Sequence, residues 1–181
     1  MTTWGRDLAL PVSPERDHLR GPADAPVTLL EYGDYQCPFC GAAVPAIEAV
    51  REEMGSELRF AFRHFPLVGV HPYASIAAEA AEASGAQGSF WDMHDLLFAD
   101  QQHLAPPDLV ARAAALGLDV GAFQVDLVEH RHAPRVQEDF LSGVHSGVAG
   151  TPTFFINGIR YTGPPDPDHL LAATEVVASR R

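Results

Sequence analysis

The chain has two cysteines, Cys37 and Cys40, three residues apart at the point where a strand-like run gives way to a helix-like one. Ahead of them, Val27-Thr28-Leu29-Leu30-Glu31-Tyr32 is short, apolar and partly β-branched, and Gly33-Asp34 ends it, which predicts a buried strand. Behind them, Pro38 falls where a helix takes a first-turn proline, and Ile47, Val50 and Met54 recur at helical spacing. A helix is therefore predicted over 37–54, kinked at Pro45, which lacks a backbone donor. The alternating run Leu58-Arg59-Phe60-Ala61-Phe62-Arg63-His64-Phe65 then closes a strand, helix, strand unit whose strands pair in parallel through a right-handed crossover.

That placement also sets the chemistry. At a helix N-terminus, unpaired N–H groups and the macrodipole favour an anion, so the Cys37 thiolate is stabilised and its pKa falls. The thiolate is the attacking species in disulfide exchange, and Cys40, one turn on, is placed to resolve a mixed disulfide between Cys37 and a substrate. Three blander readings compete. A structural bridge across so small a loop would restrain the unfolded chain very little. Half a zinc site would need scattered histidines, because there is no second C-x-x-C, and no metal is expected. The third reading is two unreactive buried thiols.

Residues 1–26 hold Pro11, Pro14, Pro22 and Pro26 among charges, which suits a surface arm with an edge strand over 8–12. From 71 to 147 the pattern is helical, with helices predicted over 72–84, 89–99, 107–116, 120–130 and 134–146, and Gly85, Gly117 and Gly147 as C-terminal caps. Thr153-Phe154-Phe155-Ile156, Asn157-Gly158 and Ile159-Arg160-Tyr161-Thr162 read as strand, type I′ turn and strand, and Asp166-Pro167 opens a last helix to 179. Three parts are expected: an arm at 1–26, an α/β part made of 27–70 and 148–181, and a helical insertion at 71–147.

At 181 residues the chain is long enough to bury a core without staples. Its 24 acidic residues outnumber 12 basic ones, for a net charge of -12, and every basic residue is arginine. Such a field repels phosphate backbones and anionic lipid, so neither nucleic acid nor membrane is expected as a partner. The lack of lysine excludes a Schiff base and a P-loop lysine. No basic stretch leads into an apolar run at the N-terminus, and no segment approaches the roughly 18 apolar residues of a membrane span. A cytoplasmic location is expected for the chain as written, and a periplasmic or other extracytoplasmic one if a leader has been removed.

Further candidates lie around the cysteine pair. Glu31, six residues before Cys37 in an apolar strand, either relays the Cys40 proton or reaches water at the strand end. Gly150-Thr151-Pro152-Thr153 puts a proline at a strand start, where a cis bond would expose the Thr151 backbone to an extended substrate. The histidines are spread over several elements and read as packing or surface residues. Phe90-Trp91 with Met93, Leu96, Leu97 and Phe98 reads as a helix core face rather than a cofactor box.

Four stretches in order resemble the DsbA-like thioredoxin domains of bacteria. They are Glu31-Tyr32-Gly33-Asp34-Tyr35-Gln36-Cys37-Pro38-Phe39-Cys40, Arg63-His64-Phe65-Pro66-Leu67, Gln87-Gly88-Ser89-Phe90-Trp91-Asp92-Met93-His94-Asp95, and Val148 to Gly158 with Thr151-Pro152-Thr153 inside it. The resemblance implies a thioredoxin fold with an inserted α-helical subdomain, Cys37 as nucleophile, Cys40 as resolving thiol, Pro152 as cis-proline and Glu31 as the buried acid. Thr151, Pro38 and Phe39 would then contact substrate. The implied partners are protein or peptide thiols and disulfides and a redox-recycling partner, with no cofactor. Two departures matter. The family's usual lysine partner of the buried acid is missing, which leaves Arg59, Arg63 or water. Phe39 stands where strongly oxidising members carry histidine, which predicts a less oxidising couple and leaves oxidase, isomerase and reductase directions open. A glutathione-dependent transferase or isomerase and a redox-silent peptide-binding module are the alternatives.

Overall fold

The computed structural model describes residues 4–179, with side-chain surroundings from Asp7 onward. The described strands are β1 (Trp4–Asp7), β2 (His18–Arg20), β3 (Val27–Gly33), β4 (Leu58–His64), β5 (Thr153–Ile156) and β6 (Ile159–Tyr161). They form one sheet in the order β1-β6-β5-β3-β4-β2. β3 pairs with β4 in parallel, from Val27 opposite Leu58 to Gly33 opposite His64, and with β5 antiparallel, Glu31 opposite Phe154. The helices are α1 (Pro38–Met54), α2 (Ala74–Ala86), α3 (Phe90–Ala99), α4 (Pro106–Ala115), α5 (Val120–Val128), α6 (Ala133–His145) and α7 (Pro167–Ala178).

The central strand is apolar throughout because both its faces are covered. Val27 and Leu29 pack with Phe60, Phe62 and Phe154 under Ile47 and Val50 of α1, in a core that continues into Met93, Leu97 and Leu170. The alternate residues Leu30 and Tyr32 join Ala61, Phe155, Phe65 and Val148 on the opposite face, against Phe140 of α6. Helices α2 to α6 run between β4 and β5, and the alanine-rich α2 packs at their centre against α3, α4, α5 and α6.

The N-terminal segment differs from the predicted edge strand at 8–12. Two short strands, β1 against β6 and β2 against β4, take the two edges of the sheet. Between them Pro11 and Pro14 offer no donor, and the Leu10 and Pro11 carbonyls turn inward to accept from Arg63 at 2.8 and 3.1 Å. The fully buried Arg63 also donates from Nε and Nη2 to the two Asp17 carboxylate oxygens at 2.8 and 2.9 Å, and from Nη1 to the Tyr32 hydroxyl at 3.0 Å. One guanidinium thus ties the arm to the sheet.

Gly85 does not cap α2, which continues through Ala86. A Cβ on Gly85 would lie 3.2 Å from the His18 ring and 3.3 Å from Phe90 Cβ, so the residue serves close packing, and the left-handed turn passes to Gly88 at φ 84°. Gly117 and Gly147 do take positive φ after α4 and α6. The hairpin turn is as predicted, with Asn157 at φ 47° and Gly158 at φ 81°. The Asn157 side chain also accepts from Thr28 N at 2.7 Å, stitching the turn to the start of β3.

Candidate active site

Cys37 is the N-cap of α1, with extended backbone (φ -73°, ψ 120°) and Pro38 in the first turn. Its N–H donates to the Asp34 carbonyl at 3.0 Å, and its own carbonyl accepts from Gly41 at 3.2 Å, the first bond of the helix. Because β3 and β5 are antiparallel neighbours, the end of one and the start of the other meet. The Cys37 sulfur accordingly lies 3.5 Å from the Thr151 carbonyl, and the Thr151-Pro152 bond is cis. Both cysteines are reduced and buried, while Pro38 and Phe39 between them are exposed, Phe39 by 72%.

The two thiols are strongly unequal. A hydrogen bond from the Cys40 thiol lowers the Cys37 pKa to about 5. Burial opposes the shift, and the Thr151 hydroxyl and the Cys40 and Phe39 backbone N–H groups support it. Cys40 moves the other way, driven up by burial first, then by its bond to Cys37 and by the charge of Glu31.

Glu31 is buried beside Cys40, on the face of β3 that packs under α1. Burial pushes its pKa up to about 8, the Cys37 charge adds to this, and a hydrogen bond with Cys40 opposes it. Its Oε1 has no hydrogen-bond partner. It lies at a cavity of about 350 Å³ between α1 and α3, walled by Val44, Ile47, Phe60 and Phe98 and flanked by Arg20 and Asp95. Neither Arg59 nor Arg63 replaces the missing lysine. Strand alternation puts Phe60 and Phe62 on the Glu31 face and both arginines on the other, where Arg59 bonds to the Thr28 hydroxyl and the Ala23 carbonyl and Arg63 to Asp17.

Several site residues carry no sequence signal beyond turn chemistry. The buried Asp34 carboxylate accepts from Gln36 N at 2.8 Å, from Leu67 N at 2.9 Å and from His71 Nδ1 at 2.7 Å, and Gln36 Oε1 accepts from Tyr73 N at 2.7 Å. These bonds pin the segment after β4 beside the cysteines, with Val68 and Val70 exposed on it by 65% and 71%. Gln101, just past α3, donates to the Tyr35 and Cys37 carbonyls at 2.9 and 2.8 Å, and its amide fills the space a Cβ on Gly41 would need. The buried His94 accepts from, or donates to, the Tyr35 hydroxyl at 3.0 Å, and burial holds its pKa well below the usual range.

Among the described residues, His64, Glu82 and Asp139 bring ligand-type atoms within 4.8 Å of one another. Glu82 is bonded to His64 and His18, and Asp139 to Arg16 and Arg135, so both carboxylates already have protein hydrogen-bond partners.

A family model described as thioredoxin matches residues 13–175. This chain belongs to the thioredoxin family. The solved structures it is similar to share its fold. BdbD from Bacillus subtilis, oxidised, has 24% identity, a TM-score of 0.82 and 97% of each chain covered. A thioredoxin-like oxidoreductase from Silicibacter pomeroyi has 22% identity and a TM-score of 0.79, covering 93% of this chain and 95% of that one. Wolbachia pipientis alpha-DsbA1 has 20% identity and a TM-score of 0.76, with 93% of each covered. The fold is therefore the α/β thioredoxin fold of DsbA-like proteins. A curated relative, Na(+)/H(+) antiporter NhaA 1 of Salinispora arenicola, is 51% identical over 167 residues, which are 92% of this chain and 26% of that protein. The chain thus spans about a quarter of the length of that relative. Among the described residues, no helix is long and apolar enough to cross a membrane.

Proposed function

We propose that this domain is a thiol-disulfide oxidoreductase that exchanges disulfides with protein or peptide thiols, Cys37 attacking and Cys40 resolving. The inequality of the two thiols carries the reading: one is held as thiolate at neutral pH and its neighbour is kept protonated. The Cys37 thiolate attacks one sulfur of a substrate disulfide, the S–S bond breaks, and the other sulfur leaves as thiolate. Cys40 then attacks Cys37, closes the protein disulfide and releases the second substrate thiolate. Its proton passes to Glu31 when that carboxyl is ionised, or to the departing sulfur. Reversed, the same steps oxidise a substrate dithiol. The Thr151 backbone and exposed Phe39, Val68 and Val70 would hold an extended apolar substrate segment beside the pair.

A thiolate stabilised this far favours the reduced pair and so makes the couple oxidising, while Phe39 cannot donate to it. The expected potential lies between about -270 mV, typical of thioredoxin, and about -120 mV, typical of DsbA. Redox titration in glutathione buffers, counting thiols by mass after alkylation with Cys37→Ser as control, tests the reading. Thiols that stay reduced and unreactive at every poise overturn it. A peptide-binding module would bind peptide equally well after Cys37→Ala, and a glutathione-dependent enzyme would need Cys37 but not Cys40.

The antiporter relative favours a second proposal, that a membrane transporter is a neighbour or substrate of this domain. Cys40→Ala traps mixed disulfides on Cys37. Recovery of a transporter among the trapped partners supports the proposal, and its consistent absence counts against it.

A further inference from the structure

We propose that Arg160 forms a carboxylate subsite beside the redox pair, so that preferred substrates carry an anionic group within one or two residues of the reacting sulfur. The proposal rests on the exchange reading above and narrows its substrate class.

A recess of about 250 Å³ opens at the start of β5, lined by Pro152, Thr153, Arg160, Tyr161, Thr162 and Gly163 among others. Pro152 directly follows Thr151, whose carbonyl lies 3.5 Å from the Cys37 sulfur. The recess therefore begins one residue from the atom the nucleophile touches. At about 3.3 Å per residue, an extended substrate running past Thr151 brings a side chain one or two positions from its cysteine over the recess.

The half-buried Arg160 donates from one guanidinium nitrogen to the Gly147 carbonyl at 2.8 Å, which fixes the head and leaves its other donors free for a planar acceptor. Its lack of a counter-charge is what singles it out. Arg16, Arg20, Arg51, Arg63, Arg112, Arg131 and Arg135 each have a carboxylate within 4.0 Å. Of the arginines between residues 7 and 179, only Arg59 and Arg160 have none among the described residues, and Arg59 is spent on Thr28 and the Ala23 carbonyl. No lining residue of the recess is acidic, and the nearby Asp166 carboxylate caps α7 through His169. In a chain of net charge -12, an uncompensated guanidinium on a recess that reaches Pro152 is a local positive point in a field that otherwise repels anions. A carboxylate offers the matching two-pronged acceptor. It can come from an acidic side chain of a protein substrate or from glutathione.

The test uses peptides whose single cysteine is disulfide-bonded to a chromophoric aromatic thiol and which differ only in Glu or Gln two residues from that cysteine. Cys37 takes the peptide sulfur and the aromatic thiolate leaves and is counted. Cys40 then closes the protein disulfide and frees the peptide thiol. At low salt the Glu probe should react about five to ten times faster than the Gln probe, the size of one partly exposed charge-assisted contact, and the ratio should shrink at high salt. Arg160→Gln should bring the ratio to about one, Arg160→Lys should keep part of it, and Arg131→Gln, on a remote exposed arginine, should keep all of it. Glutathione disulfide against its carboxyl esters, run in parallel, tells the tripeptide from protein sources. A ratio of one in the wild type, or an unchanged ratio in Arg160→Gln, overturns the subsite while leaving the exchange reading intact. If the wild type reacts with no probe, the exchange reading falls and takes the subsite with it.

Discussion

Replacing Cys40 separates two causes of the low Cys37 pKa. An ordinary cysteine titrates near about 8.5 and is about 3% thiolate at pH 7. At about 5, Cys37 is almost wholly thiolate there. The gap of about 3.5 units corresponds to about 5 kcal/mol of preference for the charged form. The bond from the Cys40 thiol is its largest contributor, ahead of the Thr151 hydroxyl and the two backbone N–H groups of the helix terminus. A hydrogen bond to a charged group is worth about 1.5 to 3 kcal/mol, or about one to two pKa units. Cys40→Ala should therefore raise the Cys37 midpoint from about 5 to about 6 or 7, with the remaining donors keeping it below an ordinary thiol. Cys40→Ser keeps a donor and should stay within about half a unit of the wild type. Thiolate absorbance in the ultraviolet, or the pH profile of the alkylation rate, gives the midpoint in reduced protein. A Cys40→Ala midpoint still near 5 would refute the reasoning and assign the shift to the helix terminus. Equal rises in the alanine and serine variants would refute it too, since they would point to packing rather than to the donor.

The redox midpoint should fall by about 30 mV per pH unit above pH 5, where reduction takes up one proton per two electrons, and by about 60 mV below it, where Cys37 is also protonated; a straight line through pH 5 sinks this. Glu31 has a folded pKa of about 8, raised above its unfolded value, so it costs stability as pH rises from about 4.5 and the full cost is reached above 8. Glu31→Gln should flatten that decline and stabilise the reduced protein by up to about 3 kcal/mol at pH 7, measured by urea unfolding across pH. Asp17→Ala strands the buried Arg63 charge and should cost about 3 to 5 kcal/mol in the same assay, against less than 1 kcal/mol for an exposed pair such as Arg131 with Glu129. Gln101→Ala removes two donors from the Tyr35 and Cys37 carbonyls and should lower stability by about 1 to 2 kcal/mol, with faster amide exchange at the start of α1.

What could be read from the chain is what its chemistry requires to be local. A redox pair needs two sulfurs one helical turn apart, and a type I′ turn needs Asn157-Gly158 between two strands, so both stand out in a short window. Strand alternation was equally legible and should have decided the partner of Glu31: the period of two that puts Phe60 and Phe62 under α1 turns Arg59 and Arg63 to the opposite face, whatever the sign of their charge. The edge strands were out of reach because β1 and β2 have four and three residues, too few for a period, and form only where β6 and β4 offer free edges. Asp34 reads as the polar residue that ends a strand, yet its carboxylate gathers Leu67 and His71 from beyond β4, a convergence no local window contains. Arg160 lies further still from the sequence. Its significance is the lack of a carboxylate nearby, and that depends on where the acidic side chains of the described fold come to rest. The two candidate sulfurs can thus be named from the chain alone, whereas the groups proposed to tune them and to choose among substrates follow from the tertiary arrangement, which is where variants that alter preference while sparing the chemistry should be sought.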